Sequence, residues 1–301
     1  MSTQITTAMV EQYRSNVYHL TQQKGSKLRQ AVRVEAVNGK SEYFDQLGAT
    51  TARERTSRHS DTPRMDMPHA RRRVSLRDFD WADLIDNEDR VRTIIDPASP
   101  YAEAAAMAMG RSMDDVIIAA ADNTAYTGVD GSTSTAYDTN MTVTVQIRWP
   151  GATAANLGLN MAKLLEAKNK LGSGNVDQDD ECYAVVNTKQ IISLLKDTRI
   201  TSFDYNNIKP LVDGKIGRAA GFILIPTERI GLDSNSYNKV LYWAKGGMLL
   251  GLGKDIQTRI SERDDKNYAK QVFCSMSIGA TRMEEARVGY IECDQTGGPG
   301  S

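Results

Sequence analysis

Histidine and cysteine, the side chains that most often bind transition metals or carry catalysis, are scarce here: three of each in 301 residues. Cys182, Cys274 and Cys293 are far apart and odd in number, and match no metal or redox spacing. They read as buried, reduced thiols. His19, His59 and His69 all lie in stretches too poor in aliphatic residues to hold a pre-organised catalytic group. A His59-Asp61-Asp66-His69 metal cluster can be drawn, but the surrounding arginines repel a cation and offer no second shell of supporting groups. No apolar run approaches a membrane span, and the opening MSTQITTAMVEQ lacks the hydrophobic core of a signal peptide. The expectation is a soluble protein made in the cytoplasm, without a membrane partner. A formal net charge of -1 argues against a dedicated nucleic-acid binder, which carries a basic domain.

Enzyme motifs are missing too. Gly251-Leu252-Gly253-Lys254 suggests a phosphate loop only superficially, because Met248 stands at the first glycine position and Asp255 where Ser or Thr belongs. Gly172/Gly174 and Gly251/Gly253 lack the third glycine of a dinucleotide fingerprint. Gly110-Arg111-Ser112 lacks the closing glycine of a nucleophile elbow and falls within a helical pattern. Asp114 and Asp115 are neighbours on that helix and point about 100° apart, so they do not converge and read as solvated surface. Asp179-Asp180-Glu181 and Asp264-Asp265 read as turn acids. No catalytic, metal or cofactor residue is named, and no cofactor is expected.

What remains is organised around Asp96 to Tyr126. Ser99 is placed to cap a helix, Pro100 opens it with φ already set, and alanines and methionines follow. From Pro100 to Asn123 such a helix extends on the order of 35 Å. Tyr101, Ala104, Ala105, Ala108, Met109, Met113, Val116, Ile117 and Ala120 recur at three- and four-residue steps as one buried face, with Glu103, Arg111, Asp114 and Asp115 on the wet side.

Before this spine, Thr6 to Gly25 forms a weak amphipathic helix, marginal alone, that reads as an arm lying on something else. Val32, Val34 and Ala36 alternate as a strand that turns at Asn38-Gly39. Between Thr51 and Arg77 stand eight arginines (Arg53, Arg55, Arg58, Arg64, Arg71, Arg72, Arg73, Arg77) against three carboxylates. The sign then reverses: Asp78, Asp80, Asp83, Asp86, Glu88 and Asp89 come with no lysine or arginine among them. So few aliphatic residues cannot make a core, yet the Phe44 region and Val74-Ser75-Leu76 resemble two strands joined by a long tip. An extended hairpin must find its stabilisation on another surface, and adjoining blocks of opposite charge suit head-to-tail contact between identical copies. A solvated charged loop is the other reading, and composition alone leaves both open.

After the spine, Gly128 to Asn140 is a surface loop. Met141, Val143, Val145, Ile147 and Trp149 alternate as a half-buried strand. Leu157, Met161, Leu164, Leu165 and Leu171 mark a helix stopped by Gly172-Ser173-Gly174. A buried strand is expected at Cys182 to Val186, then a helix capped by Thr188 and a loop over Arg199 to Arg218. Strands follow at Phe222 to Ile225, Val240 to Ala244 and Met248 to Leu252, with period-two patterns at Ile256 to Ile260 and Val272 to Ala280. The class is α+β.

The stretches VYHLTQQKGSKLRQAV, FDQLGATTARERTSRHSDTP and PHARRRVSLRDFDWADLIDNEDRVRTIIDPASPYAEAAAMAMGRSMDDVIIAAADNTAYTG resemble the major capsid proteins of tailed bacteriophages. VVNTKQIISLLKDTRITSFDY, GKIGRAAGFILIPTERI and ISERDDKNYAKQVFCSMSIGATRMEEARVGYIEC continue the likeness in the same order, roughly over Val17 to Cys293. The resemblance implies the Hong Kong 97-type capsid fold: an N-terminal arm at 1–38, an extended hairpin called the E-loop at 39–86, and a peripheral domain at 87–150 and 254–294 that contains the spine. An axial domain would occupy 151–253, and 295–301 a flexible tail.

It also implies a structural protein that self-assembles into hexamers and pentamers of an icosahedral head around double-stranded DNA. The arginine and carboxylate blocks would then serve as contacts between subunits. Implied partners are further copies, a scaffolding protein, a portal, a decoration protein and, non-specifically, packaged DNA; the implied location is the virion capsid, assembled in the host bacterial cytoplasm. Lys40 is the only lysine between Gly39 and Asp89, which argues against the covalent lysine-asparagine links of some relatives. The arm is too short for the cleaved scaffold segment of others, so a separate scaffolding protein is expected. The competing reading is a nucleic-acid-binding or DNA-packaging protein that uses the Arg53 to Arg77 block.

Overall fold

The computed structural model describes residues 22–59, 61–62, 64–85, 98–149, 155–197 and 217–295. Nearly all of the expected first helix lies outside them, as do Asp86, Glu88, Asp89 and most of the loop after Arg199. The described elements are mixed α+β, as expected. Strands β1 (Arg33–Ala36), β2 (Ser41–Leu47), β3 (His69–Ser75) and β4 (Arg77–Ile85) precede the spine helix α1 (Ala98–Asp122). Then come β5 (Ala125–Thr127), β6 (Thr133–Thr135), α2 (Met161–Ser173), β7 (Cys182–Val186) and α3 (Thr188–Leu195). The chain finishes with β8 (Arg218–Ala219), β9 (Phe222–Pro226), β10 (Asn238–Ala244), β11 (Met248–Arg263), β12 (Ala269–Arg282) and β13 (Val288–Cys293).

The chain divides into two compact units. One contains Asp78–Ser112 and Lys254–Ser277 together with the residues before Lys27. Its inner contact joins Ile85 and Trp81 of β4 to Val272 of β12 and Ala102 of α1.

The other unit holds Lys27–Arg77, Met113–Gly253 and the residues from Ile278 onward. Its main core lies on a five-stranded sheet ordered β13-β10-β7-β9-β8. β7 is buried at every position because it lies in the middle, parallel to β9 and antiparallel to β10. Leu164, Ala167 and Leu171 of α2 pack against it at steps of three and four residues. A second sheet, ordered β2-β3-β5-β6, carries the charged hairpin.

Several expectations change in detail. The strand expected over Met141 to Trp149 is not one: Thr139–Met141 is a turn of 3-10 helix, and only Val143 bridges to Ile291. The burial at Met141, Val143 and Val145 comes from a short stretch docked beside β13 at Val143, after which the chain turns at Val145-Gln146. Asn187, not Thr188, caps α3, its side chain accepting from the Gln190 amide at 3.0 Å. The patterns at Met248 to Leu252 and Ile256 to Ile260 are one strand, β11.

In α1 the buried stripe runs Ala105, Met109, Met113, Ile117 and Ala121, while Tyr101 is 39% exposed. Its supposed wet residue Asp114 has no exposure at all. Lys163 was not anticipated in the core either. Its Nζ donates to the Leu157 and Glu292 carbonyls at 2.7 and 2.8 Å, and burial lowers its pKa.

The three cysteines are buried and free. Burial pushes the Cys293 thiol up to about 11. All three should therefore resist a thiol reagent at pH 8 in native protein and react fully in guanidinium, as read by mass spectrometry. The contribution of Cys293 to stability is complete below its ordinary value of 9.0 and is lost as pH rises through about 11.

Candidate assembly surface

The hairpin is built by direct pairing of β2 with β3, in the register Tyr43↔Arg73, Phe44↔Arg72, Asp45↔Arg71 and Leu47↔His69. Because strand side chains alternate, Arg72 and Val74 turn to one face, and Arg71 and Arg73 to the other. The three consecutive arginines thus do different things. Arg72 is 6% exposed; its Nε donates to the Met283 carbonyl and its Nη2 to Glu285, both at 2.8 Å. The second oxygen of Glu285 accepts from Nε of Arg282, whose guanidinium is wholly buried. Arg282 also donates to the Ala121 and Asn123 carbonyls at 3.1 and 2.6 Å, filling acceptors that the end of α1 leaves open. One carboxylate therefore ties the hairpin root to the last turn of the spine.

On the opposite face, Arg71 hydrogen-bonds Asp45 at 2.6 Å and lies over the Tyr43 ring, holding the Asp45 carboxyl below its ordinary value. Arg73 stacks on Tyr126, 4.8 Å from the ring centre. Its Nε is closed off from solvent and has no acceptor among the described residues. The turn between β5 and β6 closes over this pair: a Cβ at Gly131 would fall 2.8 Å from Arg73 and 2.9 Å from Tyr43.

Arg53, Arg55, Arg58 and Arg64 are exposed in the tip, which has no strand of its own. Arg77, Asp78, Asp80 and Asp83 are exposed on β4. Among the described residues no ion pair joins these arginines to these carboxylates. The neighbouring acids of other segments do have partners. Arg287 reaches Asp180 at 3.0 Å and Lys245 reaches Glu181 at 3.1 Å. Arg263 holds Asp265 in a two-point contact that draws its pKa down to about 2. His59, Asp61, Asp66 and His69 do not converge, and no group of three or more metal-ligating side chains occurs among the described residues.

The contact least visible in the sequence is where the chain before β1 meets α1. Arg111 donates to the Gln22 side chain and the Gln23 carbonyl at 2.8 and 3.2 Å. At Gly110, a Cβ would stand 2.5 Å from the backbone of Gly25 and 2.6 Å from that of Ser26. One turn on, Asp114 accepts the Lys27 and Leu28 amides at 3.1 Å. Asp115, on the adjacent face, forms a two-point ion pair with Arg229. A glycine followed four residues later by a carboxylate, within an alanine-rich helix, is a signal for a crossing backbone that the aspartate-pair reading missed.

Two substitutions separate these contacts. Gly110→Ala, which raises stability by about 1 kcal/mol at an ordinary helix position, should instead lower it by about 1–3 kcal/mol through the clash with Gly25; a raised melting temperature contradicts the crossing. Glu285→Ala should lose about 3–5 kcal/mol in denaturant titration, because two arginines keep their burial and lose their counter-charge.

A model of the family described as phage capsid protein matches residues 5–295. No curated protein matches by sequence. Among solved structures, the capsid of cyanophage P-SCSP1u aligns with a TM-score of 0.73 at 14% identity, over 98% of this chain and 95% of that one. The capsid of Ralstonia phage GP4 aligns with a TM-score of 0.73 at 11% identity, over 95% of each chain. A structure from Mycobacterium phage Che8 aligns with a TM-score of 0.67 at 14% identity, over 96% of this chain and 98% of that one. At these identities the likeness is one of fold.

Proposed function

The chain belongs to the phage capsid protein family, structural proteins of the virion shell rather than enzymes, and from that premise we propose that it closes into rings of six and five copies that tile an icosahedral head around double-stranded DNA. The observation that carries this reading is the charged hairpin. Its strands are held at the root by Arg72, Gln46 and Val74, while its tip presents four arginines on a loop with no core of its own. A neighbouring copy supplies the missing surface, so the hairpin of each subunit lies on the next. In this reading residues 1–38 are the arm, 39–86 the overlapping hairpin, 87–150 with 254–294 the peripheral domain and 151–253 the axial domain, with 295–301 a tail.

Each subunit offers different patches to its two neighbours, which closes rings. Many weak contacts made together stabilise the shell while leaving individual contacts free to rearrange. A scaffolding protein sets the curvature during assembly in the host cytoplasm, a portal occupies one vertex and a decoration protein the finished surface. A wall of net charge -1 confines DNA while touching it only non-specifically.

Sedimentation velocity of the full chain, alone and with its scaffolding protein, tests this, with electron microscopy of the fast fraction. Rings or shells are expected. A chain that stays monomeric with the scaffold and instead binds duplex DNA in a salt-dependent manner, lost on neutralising the arginine block, overturns it in favour of a packaging role.

A further inference from the structure

The structure narrows which arginines of the hairpin meet which carboxylates. Arg72 is occupied within its own chain by Glu285 and Met283. The tip arginines stand on a loop without a strand, and ordering such side chains consumes much of what a surface ion pair returns. Arg71 and Arg73 are different. They lie two residues apart on one face of β3, each stacked on a tyrosine ring, and the β5–β6 turn closes against Arg73 and Tyr43. Arg73 has no carboxylate partner among the described residues, and Arg71 uses only its Nε on Asp45. Tyrosine and arginine held in place in this way are the composition of a binding hot spot.

β4 carries the complement. Its even-numbered side chains Asp78, Asp80, Ala82 and Leu84 are all exposed, and Asp78 and Asp80 have no partner among the described residues. Side chains two apart on a strand stand about 6.6–6.8 Å from one another, so the two carboxylates repeat at the spacing of the two guanidinium groups. With Asp78 at Arg73 and Asp80 at Arg71, the strands run antiparallel. Ala82 then falls beside His69, and the exposed Leu84 beyond the strand end beside the exposed Met67. Charge meets charge at one end of the run and apolar meets apolar at the other.

We propose that Asp78 and Asp80 of one copy dock on Arg73 and Arg71 of the next, with Leu84 against Met67. This pairing rests on the shell-subunit reading above. The cationic patch on β3 and the anionic patch on β4 lie in different sheets, and when each meets a different neighbour the contact is directional and head-to-tail, the kind that closes rings; a two-fold pair would instead spend both patches on one partner. Arg73 gains the carboxylate it lacks, and Tyr43 and Tyr126 shield the pairs from water.

The test is a directed cross-link in the full chain. Arg73→Cys combined with Asp78→Cys, assembled with scaffold and then treated with a bis-maleimide spanning about 10 Å, the spacing of sheets packed face to face, should give a ladder of covalent oligomers that ends at the ring size. A direct disulfide needs Cα atoms within about 7 Å and is too short for this pair. Arg58→Cys with Asp78→Cys, which places the thiol on the tip, should give none. The three native thiols are buried and do not interfere. Independently, Asp78→Lys with Asp80→Lys, at two exposed positions, should cut the assembled fraction at least about tenfold, because each like-charge contact repeats around the ring. Adding Arg71→Glu and Arg73→Glu to the same chain should restore it. Rings from the unaltered chain with no ladder from Arg73→Cys/Asp78→Cys overturn the pairing alone, as does a ladder from the tip variant instead. No rings from the unaltered chain with its scaffold overturn the shell reading and this pairing together.

Discussion

The Glu285 carboxylate stands between two guanidinium groups withdrawn from water, Arg72 on the hairpin and Arg282 against the last turn of the spine. Neither arginine can remain buried without it, since an unpaired charge in such a site is far more costly than a broken surface pair. The paired strands β2 and β3 have little hydrophobic area of their own, with Val74 buried and Phe44 half-buried beside it. Its direction is thus set by polar contacts that are specific in geometry: Gln46 and Arg72 converge on one carbonyl, that of Met283, at 2.7 and 2.8 Å. A root fixed by such bonds and a tip without a core are the two halves of one arrangement. The first aims the hairpin, and in the proposed shell a neighbouring copy is what it is aimed at.

The spine is held to the segment before β1 by a different means. Where Gln22 to Leu28 meets the helix, the backbone comes so close that only glycine fits beneath it, and the freed amides of Lys27 and Leu28 find a carboxylate one turn away. Close approach and acceptor work together: Gly110 brings the amides within reach, and Asp114 satisfies them out of contact with water.

Much of this was legible in the sequence. Alanine, methionine and the three- and four-residue steps marked α1 because a helix of that length needs one continuous apolar stripe. The hairpin strands were legible from Phe44 and Val74 despite the charge around them. The period-two pattern over Met141 to Trp149 misled because irregular chain lying on a core can bury alternate residues without a ladder; here Met141 ends a 3-10 turn, only Val143 makes a bridge, and Val145-Gln146 turn away. Asp114, Lys163 and Arg282 were read as surface or passed over, since a charged side chain is buried only when distant backbone carbonyls or amides converge on it. That convergence is a tertiary fact. The carboxylates of β4 and the arginines of β3 were visible as blocks, but alternation divided the arginine triplet into one inward and two outward groups.

The central claim is that the hairpin is secured at its root within the chain and at its tip only by another copy. Amide hydrogen exchange across residues 41–75, compared between unassembled subunit and assembled shell, tests it most directly. The account predicts that β2 and β3 are protected in both states and that the tip between them gains protection only in the shell. A tip already protected in the single subunit, or one that exchanges equally fast after assembly, would contradict it.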